Sequence, residues 1–311
     1  MSPPTPSASA APSESVVAVI IPVFDSGATL PETLDSVRAQ THERLRIVVV
    51  DDGSTDPRTL QLLDELRGDD RLQIIRQDNA GPSAARNAGI RASEGAYFLP
   101  LDSDDRISPT YVAEAVAVLD ARPDVALVYA RAELFGRKSG PWPLPDFDWS
   151  GFLIHNQIFD AALFRRADWA AVGGYDETMR RGREDHDFVM RVLGRGGEPH
   201  RIDAVRYYYR IGPDGSSVNS SMSREDLIAA HSQILRNNLQ TYADHAEDLF
   251  AFVFRQHDEI MDLRYRYALP ERIRRRFPRA IGIVKAARDA LRRGARAVSA
   301  PFGRGRDRSR R

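Results

Sequence analysis

The 311-residue chain predicts an α/β fold: a Rossmann-like, mostly parallel central sheet with helices on both faces, followed by a helical C-terminal extension. Two observations carry this. Apolar β-branched runs alternate with segments of helical periodicity from Val16 to Ala130, as repeated strand–helix units require. Acidic clusters follow two of those runs, in IVVVDDGSTD (47–56) and YFLPLDSDD (97–105), at the strand ends where open α/β sheets bind ligands.

The elements follow in order. Val16–Phe24 (VVAVIIPVF) is a strand covered on both faces, and Thr29–Gln40 is helical through Leu30, Leu34 and Val37. Leu45–Val50 is the next strand, and Asp56 with Pro57 reads as cap and first residue of a helix to Leu66. Strand 72–76, helix 82–92, strand 96–101, helix 109–121 with Ser108 as its cap, and strand 125–130 complete the regular part. The segment GPWPLPDFDWSG is long enough for a functional loop or lid. Strand-like and helical pieces return at 159–165 and 167–172, a helix at 184–193 and a strand at 204–209. Residues 222–268 read as two or three helices. The expected organisation is a disordered segment 1–15, a catalytic domain 16–221, a helical region 222–270 and a tail 271–311 that is basic and either amphipathic or disordered.

Composition narrows the function classes. The 44 basic and 44 acidic residues cancel, but residues 271–311 hold fifteen Arg or Lys against three acids. There is no cysteine, which excludes disulfides and thiolate metal ligands. The first residues, MSPPTPSASAAPSES, lack the charged and apolar regions of a secretory signal. No run approaches about 18 apolar residues, so a membrane-spanning helix is not expected. The expected place is the cytoplasm, with the tail offering attachment at the inner face of the plasma membrane.

The acidic residues exceed what helix capping needs, and adjacent like charges repel unless a ligand compensates them. At the first cluster Pro22, Val23 and Asp25 end one strand, and Asp51 and Asp52 end its neighbour. A carboxylate there can accept from a uracil or thymine imide, or from ribose hydroxyls; turn chemistry in DDGS is the bland alternative. In DNAGPSAARNAG, Pro82 opens a helix whose free N–H groups suit an anion, and Arg86 lies one turn in, able to reach a diphosphate unless it is an ordinary surface Arg. Asn79, Gly81 and Asn87 shape that loop. On an extended chain Asp102 and Asp104 project together while Ser103 turns away. Two such carboxylates, with water and phosphate oxygens, suit Mn²⁺ or Mg²⁺. In GREDHDFVMRVL, helical spacing puts Asp185 on the face of Phe188, Val189 and Val192, while Asp187 pairs with Arg191 on another side. Asp185 is then the half-buried carboxylate, suited to proton abstraction, with Glu184 at the mouth. Acidic residues that merely complement the helix dipole are the alternative.

In this order VVAVIIPVFDSGATLPETLDSVRAQT, VVVDDGSTD, NAGPSAARNAGI, YFLPLDSDD, VGGYDE and REDHDFVMRVL resemble the family 2 glycosyltransferases of GT-A fold, over Val16 to about Tyr209. The resemblance implies an inverting, metal-dependent hexosyltransferase that uses a UDP or dTDP sugar as donor and a glycan or lipid-linked acceptor. Its products would be cell-surface polysaccharide, glycolipid or related glycoconjugate. Pro22, Asp25 and Asp52 would hold nucleobase and ribose, with Val23, Asp51, Asn79, Gly81, Asp102 and Ser103 completing the nucleotide site. Arg86 would face the diphosphate, Asp102 and Asp104 would form the cation motif, and Asp185 the base. Gly174, Tyr175 and Asp176 would lie beside the acceptor. The QxxRW signature and membrane helices of processive synthases are missing, which points to the non-processive type. A His that many relatives carry after the YYYR strand is replaced here by IGPDGSS after Arg210, so a third protein ligand is not identified. Arg210 or Ser216 would then contact phosphate, while His186 and His200 read as solvent-edge residues. Donor preference is expected from loops 131–157 and 211–221.

Two rivals remain. A metal-dependent nucleotidyltransferase also pairs carboxylates on a metal, but the chain lacks a glycine-rich loop with a downstream Lys, and Asp185 would have no role. A non-catalytic membrane- or partner-binding module would explain the tail, where Ile281, Ile283, Val284, Ala287 and Leu291 can line one side of a helix. Nucleic acid is not an expected partner, since the basic tail has no interleaved stacking aromatics apart from Phe277 and Phe302.

Overall fold

The computed structural model describes residues 15–180, 182–212 and 222–276, with 268–276 as backbone only. The readings of residues 1–14 as disordered, of 277–311 as amphipathic or disordered, and of Ser216 as a phosphate contact lie outside these residues. The chain divides into two compact units at Phe250/Ala251.

The first unit is the α/β body. Strand β1 (Val17–Val23) is central, flanked in parallel by β2 (Leu45–Asp52) and by β4 (Tyr97–Pro100), with β3 (Leu72–Gln77) parallel outside β2. Helices α1 (Leu30–Arg38), α2 (Pro57–Glu65) and α3 (Pro82–Ala92) form the crossovers. The strands are as buried as their continuous apolar sequence requires: Val17 to Ile21 and Val23 are 0–1% exposed. Helix α3 packs so closely on β1 that a Cβ at Gly89 would come within 2.6 Å of the Ile20 side chain. Because the chain steps from β1 outward to β2 and β3 and then back to β4, a crevice opens beyond the carboxyl ends of β1 and β4.

The second half of the sheet is mixed. Strand β5 (Arg106–Ile107), helix α4 (Tyr111–Ala121), β6 (Val125–Gly136), β7 (Gly140–Trp142), α5 (Trp149–Phe152), β8 (Leu163–Arg165) and α6 (Arg166–Ala171) precede α7 (Glu184–Leu193) and β9 (Glu198–Ile211). The sheet order is β3-β2-β1-β4-β8-β6-β9-β5, with β7 beside β6. Strand β9 runs parallel to β6, whereas β8 joins β4 to β6 antiparallel. Both β6 and β9 are longer than their hydrophobic runs suggest, because each supplies the other with a ladder as far as Gly136 and Ile211. The Pro- and Trp-rich segment is not a free lid. Its start pairs with β6 (Ala132 opposite Trp142), and its end is a helix capped by Asp148, which accepts from the Gly151 N–H at 2.8 Å.

Asp56 caps α2 as read, accepting from the Thr59 N–H at 2.9 Å. Ser108 does not cap α4, which starts at Tyr111 after Thr110. The Ser108 amide donates instead to the Arg206 carbonyl at 2.8 Å, which ties this segment to β9. Among the described residues three helices follow: α8 (Arg224–Asn237), capped by Ser223, α9 (Leu239–Asp244), and α10 (Ala246–Arg276). No helix among the described residues is long and apolar enough to cross a membrane.

Candidate active site

A cavity of about 390 Å³ lies beyond β4, walled by α3, α7, β7 and β9. Arg86 is its organising residue. The guanidinium is 3% exposed, and Nη1 donates to Glu184 Oε1 at 2.7 Å while Nη2 donates to Asp102 Oδ1 at 2.7 Å and Asp160 Oδ2 at 3.2 Å. Burial alone would lower its pKa, but Asp102, Glu184 and Asp160 together hold it charged, well above the ordinary value. Arg86, expected to reach a diphosphate, lines the cavity with its guanidinium occupied by three carboxylates. Glu184 likewise is not a residue of the mouth but a buried partner of that cation.

Asp160 escaped the sequence reading. It sits in the apolar run QIFDAALF, and the only signal was a lone acid inside a buried segment. Burial and the adjacent Asp102 raise its pKa well above that of a free carboxyl. The Tyr111 hydroxyl fixes the next residue by donating to the Ala161 carbonyl at 2.6 Å.

Asp185 lies on the cavity wall at the start of α7, half-buried as the helical spacing predicted. Asn156 Nδ2 donates to its Oδ2 at 2.7 Å. Burial, and then the Glu184 charge, push its pKa up to about 6. Asp187 pairs with Arg191 as expected, but it is the more deeply buried of the two, because Asn237 and Asn238 of α8 and its end close over that side at 3.0 and 3.1 Å. His186 is also buried rather than at the solvent edge. Its Nε2–H donates to the Phe152 carbonyl at 2.6 Å, and burial lowers its pKa to about 3.

The acidic turn after β4 is not extended: the Asp105 N–H donates to the Asp102 carbonyl at 3.1 Å. Alternation along a strand therefore does not aim Asp102 and Asp104 at one point. Asp102 reaches the cavity, and the buried Asp105 anchors the turn to β9 by accepting from the Tyr207 hydroxyl and from the Arg210 N–H at 2.7 Å. Burial and the nearby Asp102 push the pKa of Asp104 up to about 6. Arg210 is engaged too, donating through Nε to the Asp104 carbonyl at 2.7 Å and pairing with Glu32. Among the described residues no three potential ligands converge on one metal position. Of the pair only Asp102 lines the cavity, and it fits the protein share of a Mg²⁺ or Mn²⁺ site, since such ions can use a single carboxylate and take the rest from substrate phosphate and water, with Asp104 in the same turn close enough for the two charges to interact.

The expected nucleotide residues divide. Asp25, in left-handed backbone at φ 50°, accepts from the N–H groups of Thr55 and Asp56 at 2.7 Å each. Asp51 is buried against Arg76 (2.9 Å) and the Ser54 N–H (2.8 Å). Asp52 accepts from the Ala80 and Gly81 N–H groups at 2.9 and 2.8 Å and from Gln77. Asp51 thus binds its own loop, Asp25 the loop after β2 and Asp52 the loop after β3, and the Val23 side chain is buried core. Ser103 bonds Ser26 at 2.8 Å, Asn79 is exposed, and Pro22 is half-buried. The acceptor-side trio lies outside the cavity lining. Gly174 and Tyr175 are buried, with Tyr175 stacked on Phe188 at 4.1 Å, and Asp176 accepts from Asn237 at 2.8 Å. Asn87 holds that loop, accepting from the Tyr175 N–H and donating to the Tyr175 carbonyl at 2.9 Å each.

Two further features were not read. Arg180 and Arg183 line the cavity beside Asp185, Arg183 in left-handed backbone at φ 70°. Opposite the charged groups stands an aromatic wall in which Trp142 lies 5.9 Å from Phe159 and 4.7 Å from Tyr209, and Phe159 stacks on Tyr207 at 4.6 Å.

Comparison with known proteins bears on the family and the fold. The sequence model of glycosyl transferase family 2 matches residues 18–173. The uncharacterized protein y4gI of Sinorhizobium fredii is 30% identical over 237 residues, covering 72% of this chain and 25% of its own length. The O-antigen biosynthesis protein RfbC of Myxococcus xanthus is 28% identical over 240 residues, covering 75% and 18%. The chain thus spans a quarter or less of these two relatives. Of an uncharacterized Haemophilus influenzae glycosyltransferase, 25% identical, it spans 71%. The crystal structure of S. aureus TarS 1–349 in complex with UDP-GlcNAc superposes with TM-score 0.62 at 21% identity, over 76% of this chain and 71% of that one, which shows a shared GT-A fold.

Proposed function

The chain belongs to glycosyl transferase family 2, and on that premise we propose that it moves a sugar from a nucleoside diphosphate donor to an acceptor hydroxyl with inversion at the anomeric carbon. The observation that carries the reading is that Asp102 and Asp185 face one cavity, with Arg86 and Glu184 between them. Asp185 takes the acceptor hydroxyl proton. A carboxyl near pKa 6 is ionised at neutral pH yet more basic than an exposed one, as a general base requires. Asn156 orients it. The diphosphate side falls to Arg180 and Arg183, the cavity cations not enclosed by carboxylates as Arg86 is. A divalent ion held by Asp102, with Asp104 adding its charge from the same turn, would supply charge stabilisation for the departing diphosphate. The aromatic wall suits the apolar face of a sugar ring, with Trp142 half-exposed for that contact. The TarS complex with UDP-GlcNAc makes a UDP sugar the first donor to test.

The first measurement is thermal unfolding with UDP, dTDP and GDP sugars, each with and without Mn²⁺, because a ligand of the native state alone raises its stability. The donor that protects is then used to follow nucleotide release. Asp185→Asn should lower turnover by about 10² to 10⁴ fold while donor protection persists. Turnover near that of the unaltered protein removes Asp185 as the base.

A further inference from the structure

A second cavity, of about 480 Å³, lies within the α/β body between α8, α9, the first turn of α10 and the two residues that follow α5. Leu153, Ile154, Leu227, Ile228, Leu235 and Leu249 make most of its wall. Helix α8 accounts for its apolar character. A surface helix needs one apolar stripe, and Ala230 and Ile234 already supply it, buried at 8% and 0% exposure. Leu227, Ile228 and Leu235 form a second face on the same helix, where Ile228 remains 59% and Leu235 42% exposed. That face runs along the cavity.

The polar groups of the wall are few, and two of them are already engaged. The Tyr242 hydroxyl donates to the Leu153 carbonyl and the Ser232 hydroxyl to the Ile228 carbonyl, each at 2.7 Å. His231 meets His186 edge-on at 6.0 Å, and burial, then the Arg183 charge, lower its pKa, so its ring is neutral at pH 7. Arg224, at the start of α8, makes no hydrogen bond or ion pair among the described residues. No carboxylate among the described residues lines the cavity, so its one full charge is positive and unspent.

We infer that this cavity binds a single-chain phosphorylated amphiphile as a monomer, the hydrocarbon lying along Leu227, Ile228 and Leu235 and the phosphate meeting Arg224. Three observations select that occupant. The volume is that of a small-molecule site, which is apolar with a few placed polar groups. From Arg224 to Leu235 the helix rises about 16 Å, which gives an elongated ligand a charged end and an apolar end. The unspent Arg224 favours an anionic headgroup over a neutral one. A protein partner would need roughly 800 Å² on each side, but Leu239 apart, exposed positions of α8 and α9 outside the cavity include Glu225, Arg236, Gln240 and Asp244. An anionic bilayer is also disfavoured, since Glu225, Asp244 and Glu247 are exposed on the same three helices and would be repelled by it.

The inference is independent of the chemistry at Asp185, and its test needs no donor sugar. Full-length protein is titrated calorimetrically with octyl, decyl and dodecyl phosphate, each below its micelle concentration, with inorganic phosphate and decyl maltoside alongside. One alkyl phosphate should bind per chain, its Kd tightening about fourfold for each methylene added, and inorganic phosphate should give no signal. Arg224→Ala should weaken decyl phosphate by about fivefold, as an exposed ion pair allows, and leave decyl maltoside unchanged. Ile228→Glu with Leu235→Glu puts two carboxylates on the apolar face and should abolish binding of every alkyl chain. Both positions are exposed, so the melting temperature should stay where it is in the unaltered protein. No binding of any alkyl phosphate, a Kd indifferent to chain length, or binding that survives both glutamates overturns the inference. So does an equal loss of decyl phosphate and decyl maltoside in Arg224→Ala, or a response to phosphatidylglycerol vesicles without one to the monomers.

Discussion

Replacing Asn156 by Ala tests the base through the one side-chain hydrogen-bond donor it has among the described residues. Asn156 Nδ2 donates to Asp185 Oδ2 at 2.7 Å, a bond that favours the ionised carboxylate. Hydrogen bonds to charged groups contribute about 1.5 to 3 kcal/mol, and because Asp185 is half-buried, water recovers part of the loss, so the lower figure applies. At about 1.36 kcal/mol per unit, that is an upward shift of about one unit. The sign follows from the role: a base works only when deprotonated, so activity falls as pH drops through its pKa. The acidic limb of kcat/KM should move from about 6 toward about 7, costing about fivefold at pH 6 and almost nothing at pH 8. Asn156→Asp should move the limb further, since it places a second carboxylate beside the first. The assay is nucleotide release from the selected donor between pH 5 and about 9, outside which the fold itself titrates. Asp104 titrates in the same range, so the unaltered limb belongs to both groups, but only the share of Asp185 responds to residue 156. A limb that stays in place in both variants, or moves toward acid, refutes Asp185 as the base.

Three other outcomes are expected. Arg86→Leu leaves Asp160 and Glu184 buried without their countercharge and should destabilise the fold by about 3 to 5 kcal/mol in denaturant unfolding; a loss under about 1 kcal/mol would mean the carboxylates simply take up protons. Asp104→Asn should stabilise the metal-free protein at pH 7 by at most about 3 kcal/mol and leave it unchanged near pH 4. A carboxyl with a raised pKa stabilises the fold only while protonated, and that contribution disappears as pH rises toward 6. The same variant should lose Mn²⁺-dependent donor protection. Gly174→Ala forces a Cβ to within 2.6 Å of Asn87 Oδ1 at φ 79°, and a melting temperature within a degree or so of the unaltered protein would contradict the close packing of that loop.

How much of this was legible depended on whether one segment determined the answer by itself. Strands β1 to β4 and their crossover helices were readable because a parallel strand buried on both faces is uniformly apolar, and Asp56–Pro57 marks a helix start locally. Strand β9 was cut short, since its outer residues are polar and are strand only because β6 lies alongside. The same limit governs the site. The helical period of α7 placed Asp185 correctly, but the fuller burial of Asp187 and His186 comes from α8 and from the segment at Phe152, distant in sequence. The pairing of Asp102 with Asp104 rested on an extended backbone, and the Asp102–Asp105 hydrogen bond replaces that with a turn.

Arg86 explains why distant carboxylates act together. It is bonded to Asp102 after β4, Asp160 before β8 and Glu184 on α7, so three segments that share no helix or strand converge on one planar cation. A Lys could not serve them equally, because its single ammonium lacks the fixed fork of a guanidinium. The consequence for chemistry is geometric. Glu184 is the chain neighbour of Asp185, and Asp102 is the acidic residue of the turn that reaches the cavity, so the guanidinium ties the positions of Asp185 and Asp102 to one another. On the proposed mechanism, a fixed spacing of these two carboxylates is the preorganisation that an in-line displacement would use.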